Sequence, residues 1–163
     1  MDITYSEVLF SQKSGILINE LLSDLGLKKD FKRAFHCTIT YSRTVVPDLT
    51  TSKGVKQIDG KAENDIFEIA KPIKLGSFLT RRGTSSLHIE LDCPFCQEEV
   101  LRHIAAGVDR DFPIYNPHIT ILYDAKDFDI DNPTPSQLTA ISEFLNNDLH
   151  IVKEKIVPLK SKK

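Results

Sequence analysis

The pattern His-x-Thr-x-x-Tyr occurs twice, as His36-Cys37-Thr38-Ile39-Thr40-Tyr41 and as His118-Ile119-Thr120-Ile121-Leu122-Tyr123. Random order of this composition would give on the order of 0.01 such matches per chain. Both copies sit in segments rich in β-branched and aromatic residues, which predicts strands. Side chains alternate along a strand, so His36 and Thr38 share one face while Phe35, Cys37, Ile39 and Tyr41 take the other. His118 and Thr120 likewise share a face, and Ile119, Ile121 and Tyr123 form a second apolar anchor set. A fold that uses both copies has to set two such strands facing each other, with two imidazoles and two hydroxyls together.

The remaining periodicity supplies the scaffold. Residues 3 to 10 alternate as a strand; Ser11 then opens a helix whose stripe is Leu17, Ile18, Leu21, Leu22 and Leu25, ending at Gly26. Residues 44 to 62 carry Pro47, Gly54 and Gly60 and predict at most a short strand near Val55 to Ile58. Asp65 to Ala70 and Leu87 to Leu91 alternate again, with Arg81, Arg82 and Gly83 at a hairpin turn between them. Asp92 is placed to cap a helix starting near Pro94, with Val100, Leu101, Ile104, Ala105 and Val108 as its stripe. Thr134, Pro135 and Gln137 form a capping box before Leu138, Ile141, Phe144 and Leu145. A last strand is expected over Leu149 to Val157. The whole predicts an α+β domain over residues 1–159, with helices outside antiparallel strands, and a frayed basic tail at 160–163.

Charge narrows the partners. A formal net charge of -2 gives no positive field for a long nucleic-acid duplex, though a small anion in a local site fits. No apolar run reaches the ~20 residues a membrane helix needs, and Met1 to Phe10 has no signal-peptide core. Three cysteines, Cys37, Cys93 and Cys96, are too few for a secreted disulfide framework. The expectation is a cytoplasmic protein that engages neither membrane nor long nucleic acid.

Two histidines and two threonines suit phosphodiester chemistry. One neutral imidazole accepts the proton of an attacking hydroxyl or water, and the other, protonated, supplies the departing oxygen. The threonine hydroxyls donate to non-bridging phosphate oxygens as charge builds there. Such a mechanism calls for no metal or other cofactor. The competing reading is that each histidine is tied up in the core and each threonine merely favours a strand.

On these residues the sequence resembles the two-histidine (2H) phosphoesterase superfamily, and HCTITYSR, ELDCP and DFPIYNPHITILYD resemble its phage anti-CBASS branch. The resemblance implies a bilobal fold with antiparallel sheets facing a central cleft, and catalytic roles for His36, Thr38, His118 and Thr120. It also implies metal-independent cleavage of 3',5' linkages in cyclic oligonucleotide signals of bacterial defence, such as 3',3'-linked cyclic di- or trinucleotides, in the host cytoplasm. Other branches act on RNA 2',3'-cyclic phosphate ends, and a non-cleaving cyclic-nucleotide sponge is a further alternative. Tyr5 is implied to stack on a nucleobase; relatives use tryptophan around the bases and this chain has none. Tyr41, Tyr123, Arg81 and Glu143 complete the candidate substrate contacts. For Arg81 a charged hairpin turn is the commoner explanation, and for Glu143, like His150, solvent exposure is favoured over a ligand contact.

Two further features stay open. Cys93-Pro94-Phe95-Cys96 is a redox dithiol or half a zinc site in form, but no second ligand pair follows, and packing at a helix start is the simpler reading. His88, between Leu87 and Ile89, is expected on the surface.

Overall fold

The computed structural model describes residues 2–60, 65–109 and 114–160. Strands and helices alternate as β1 (Asp2–Phe10), α1 (Gln12–Asp24), β2 (His36–Ser42), β3 (Gln57–Asp59), β4 (Glu68–Leu79), β5 (Ser85–Asp92), α2 (Pro94–Ala105), β6 (His118–Leu122), α3 (Pro135–Leu145) and β7 (Leu149–Lys160). The helix starts follow local chemistry. Ser11 caps α1 by accepting from the amide of Ser14, and Thr134 and Gln137 make the reciprocal capping box of α3. Helix α2 departs from expectation: its N-cap is Cys93, without a side-chain cap bond, and Asp92 ends β5 instead.

The α+β class stands, but the described strands join into one antiparallel sheet rather than separate sheets. The order is β1-β2-β6-β5-β4-β7-β3, and β1 also pairs with β7, so six strands close into a ring with β3 flanking β7. Long ladders run within β7, β1 and β2 and within β4, β5 and β6. The two groups meet through the single registered pair Cys37 and Ile119 on one side and through three pairs of β4 with β7 on the other. Strand β4 outruns its expected end at Ala70, continuing through Pro72 to Leu79; a register shift beside Pro72 accommodates a residue that donates no ladder bond. The turn to β5 is closed by the amide of Thr80 on the carbonyl of Thr84, with Gly83 at φ +80°. Lys160, assigned to the tail, pairs with Asp2 as part of β7; residues 161–163 lie outside the described residues.

The main core joins Ile18, Leu21 and Leu22 of α1 to Val8, Cys37, Ile39, Ile89, Ile119, Ile121 and Ile151 of the sheet. Helix α2 presents a different face from the apolar stripe. Leu101 and Ile104 are exposed, whereas Cys96, Glu99, Val100 and His103 are buried. Polar groups go inward here because they bond one another. His103 Nδ1 lies 2.8 Å from Thr40 Oγ1 and 3.4 Å from Ser6 Oγ, and Arg102 donates to both oxygens of Glu99 at 2.9 and 2.7 Å. Glu154 of β7 accepts from the amide and hydroxyl of Ser52. Glu99, His103 and Glu154 place ligand-type atoms within 4.8 Å of one another, and Arg102 Nη2 stands 2.7 Å from Glu99 and 3.4 Å from His103 Nε2, so a cationic side chain already pairs with this cluster.

The two carboxylates are driven apart. Burial and the neighbouring Glu99 raise the Glu154 carboxyl to about 8. Burial works against the Glu99 charge, yet hydrogen bonds from His103 and Arg102 hold its pKa well below the usual range. A carboxyl with a raised folded-state pKa binds its proton more tightly when folded. Its contribution is fully present below the unfolded value near ~4.5 and is lost as pH rises through about 8. Glu154→Gln should therefore unfold at a higher temperature than the native chain at pH 9, with the gap closing by pH 5; calorimetry at the two pH values checks this.

Candidate active site

Pairing Cys37 with Ile119 in antiparallel register sets His36 beside Thr120 and Thr38 beside His118, all on the face opposite those two core residues. The four polar residues are half-buried while Cys37, Ile39, Ile119 and Ile121 are buried. The groups that the two motifs supply therefore share one surface, as their alternation requires.

Each motif also contains an irregularity that its spacing conceals. Ser6 faces Thr40 and Glu7 faces Thr38, leaving Ile39 as an extra residue of β2; Leu87 faces Leu122 and His88 faces Thr120, leaving Ile121 extra in β6. A bulge shifts the alternation by one. In place of the expected anchor role, Tyr41 is 53% exposed and registers with Tyr5, while Tyr123, just past β6, is 49% exposed and packs edge-on against Phe31. The interval from histidine to tyrosine is thus the length that a bulged strand needs to return the tyrosine outward.

Both histidines are oriented alike. His36 Nδ1 donates to the carbonyl of Ala34 at 3.1 Å, and His118 Nδ1 to that of Asn116 at 2.8 Å. A carbonyl only accepts, so each ring keeps its hydrogen on Nδ1 and exchanges protons at Nε2. Around His36 the charge is positive. Arg33 Nη1 lies 3.1 Å from His36 Nε2, and Arg33 Nη2 pairs with Glu7, whose other oxygen is 3.5 Å from Lys155 Nζ. Burial first, then Arg33, His118 and Lys155, hold His36 below an ordinary imidazole against the opposing pull of the Ala34 carbonyl.

Around His118 the surroundings are aromatic. His88, expected on the surface, is only 3% exposed; its ring stacks on Phe78 at 4.0 Å and meets His118 edge-on at 5.3 Å. Phe78 also touches His118 at 5.5 Å. Burial and the adjacent His118 push His88 down to about 4, so it is neutral near pH 7. The seat exists because residue 76, paired with His88, is glycine: a Cβ there would fall 2.4 Å from His88 Nε2.

The other sequence candidates are distributed unevenly. Tyr5 is buried, its hydroxyl donating to Glu7 at 2.8 Å and lying 3.0 Å from Thr38 Oγ1, with its ring edge-on to Tyr41. It offers little ring surface for stacking; Tyr41 beside it offers more. Arg81 stands exposed in the β4–β5 turn, and Glu143 is exposed on α3, which packs on α1 and β4. A cavity of about 660 Å³ opens between that turn and the acidic segment 124–131, and its lining includes none of the four motif residues. Cys37, Cys93 and Cys96 are free and buried, and residues 111–113 of the segment DFPIYN lie outside the described residues. Arg33, Glu7, Lys155, Phe78 and His88 escaped the sequence reading. The repeat gave no signal for Arg33, since the second copy has Tyr115 at the corresponding position, three residues before His118.

No helix among the described residues is long and apolar enough to cross a membrane. A family model described as anti-CBASS protein Acb1 matches residues 2–155. An anti-CBASS protein Acb1 of Vibrio phage KVP40 is 29% identical over 157 residues, covering 96% of this chain and 87% of the relative. One of Acinetobacter phage Ac42 is 26% identical over 122 residues, covering 74% of this chain and 73% of the relative.

Gly76→Ala should displace the His88 ring and destabilise the fold by roughly 1–3 kcal/mol, the usual cost of forcing atoms into a packed site. Denaturant unfolding gives the loss, and a shift of the His118 ring signals in NMR spectra would show that it reaches the site.

Proposed function

The chain belongs to the anti-CBASS protein Acb1 family, and on that premise we propose that it is a phosphodiesterase that cleaves 3',5' linkages of cyclic oligonucleotide signals and so disarms CBASS defence in the host of a phage. The observation that carries this reading is the common face of His36, Thr38, His118 and Thr120, with both Nε2 atoms left to exchange protons. His36 fits the base. A guanidinium has no acceptor, so its contact with Nε2 requires the neutral ring. His118 then serves as acid, against an aromatic corner instead of a cationic one.

In this mechanism Nε2 of His36 takes the proton of the attacking oxygen, either a ribose 2'-hydroxyl or water. The phosphorus bond to the 5'-oxygen breaks, and Nε2 of His118 delivers a proton to that oxygen. The Thr38 and Thr120 hydroxyls stabilise the charge on the non-bridging oxygens. Tyr41, exposed beside the site, is suited to stack on a base. The residues do this with their own proton transfers and require no metal.

Incubation with 3',3'-cyclic GMP-AMP in EDTA, with products resolved by mass spectrometry, tests the reading; turnover that needs added metal, or none, would sink it. Preference for an RNA oligomer ending in a 2',3'-cyclic phosphate would reassign the substrate, and recovery of intact ligand from a denatured complex would mark a sponge. His36→Ala and His118→Ala should each lower the rate by about 100-fold or more, and the double variant should be little worse. The rate should follow a bell in pH, rising as His36 loses its proton at a pH below that of an ordinary imidazole.

A further inference from the structure

The two motif copies agree in the histidine, the threonine, the upstream carbonyl and the bulge. They differ three residues before the histidine. Tyr115 reaches away from the second copy: its hydroxyl donates to the carbonyl of Thr38 at 2.7 Å and lies 3.6 Å from Cys37 Sγ. Arg33 turns onto its own copy, with Nη1 3.1 Å from His36 Nε2 and 3.3 Å from the Tyr5 hydroxyl. Its other terminal nitrogen holds Glu7, a fully buried carboxylate that also faces Lys155. One carboxylate shared by two cations leaves net positive charge beside His36, and Arg33 itself is half exposed. The charged and titratable groups around His36 are thus Arg33 from the preceding loop, Glu7 and Tyr5 from β1, Lys155 from β7 and His118 from β6.

We propose that Arg33 is a phosphate-binding catalytic residue that divides the labour between the two histidines. In the empty site its guanidinium occupies the Nε2 lone pair of His36. An arriving phosphodiester oxygen, an anionic acceptor that matches guanidinium geometry, draws Nη1 off that lone pair. The freed Nε2 then takes the proton of the nucleophile, while Glu7 keeps hold of Nη2. The base is therefore released by the substrate that needs it, and His118, with tyrosine in the corresponding position, has no such partner among the described residues. This rests on the phosphodiesterase reading for its substrate class, but its first test does not depend on turnover.

The His36 ring is followed by NMR as pH is varied in the native protein, Arg33→Met and Arg33→Lys, with inorganic phosphate as the probe anion. Without the guanidinium, His36 in Arg33→Met should titrate at higher pH than in the native protein, and phosphate should bind at least about tenfold more weakly for want of a charge-assisted partner. Arg33→Lys keeps a charge but not the fork that spans Glu7 and His36, so it should show a smaller titration shift and weakened phosphate binding. It carries the test if Arg33→Met does not fold. An unchanged His36 titration in Arg33→Met, or unchanged phosphate binding in either variant, overturns the proposal. In a separate assay on the cyclic dinucleotide, kcat/KM of Arg33→Met should fall on the order of 100-fold; a native protein that turns nothing over would sink the phosphodiesterase reading and leave the NMR result to judge Arg33.

Discussion

The pairing of Cys37 with Ile119 is the contact on which the rest of the arrangement turns. It is a short junction, yet antiparallel register leaves no freedom once one pair is set. A slip by a single residue would send one histidine into the core and bring a buried isoleucine to the surface. The flanking ladders prevent such a slip, since β2 is held by β1 and β6 by β5 along most of their lengths. The bulges at Ile39 and Ile121 are equally specific, because each returns the strand to the core just beyond the reactive pair without losing the outward tyrosine.

Behind this face the chain buries titratable side chains among its apolar ones. Glu7, Glu99, His103 and Glu154 are all buried, and each is bonded to residues of another element. Glu7 ties β1 to the loop before β2 and to β7; His103 ties α2 to β1 and β2. Such networks fix orientation more sharply than apolar contacts do, because a misplaced member leaves a charge unpaired in a poor solvent for it. The candidate base therefore rests on a strand with polar contacts on both faces, Thr38 with Tyr5 on one and Thr40 with His103 on the other.

Much of this was legible in the sequence where the determinant is local. Ser11 and the Thr134–Gln137 box announce their helices because a cap is made by residues three apart, and the paired motifs announce their strands by alternation. What escaped depends on partners distant in the chain. His88 looks like an outward residue between Leu87 and Ile89; it is buried because Gly76 on the neighbouring strand leaves room for its ring and Phe78 covers it. The stripe on α2 misleads because Glu99 and His103 find partners on β1, β2 and β7 that no helical period reveals. Tyr41 and Tyr123 were placed inward by strict alternation, and only the register of the neighbouring strands exposes the extra residue. Arg33 has no local signal, because the carboxylate that holds it, Glu7, lies on β1.

The closed ring of strands has a consequence for how the protein comes into being. Strand β1 lies between β2, its near neighbour in sequence, and β7, the last strand in chain order. Contacts of such long separation form slowly, because a large loop has to close before they give anything back. On the ribosome, β2 and β6 exist well before β7, but Glu7 lacks Lys155 and β1 has one bare edge until β7 has been made. The charged setting of His36 is thus completed by β7, and a chain caught short of it carries Arg33 and Glu7 beside the first histidine without the second cation that Lys155 supplies.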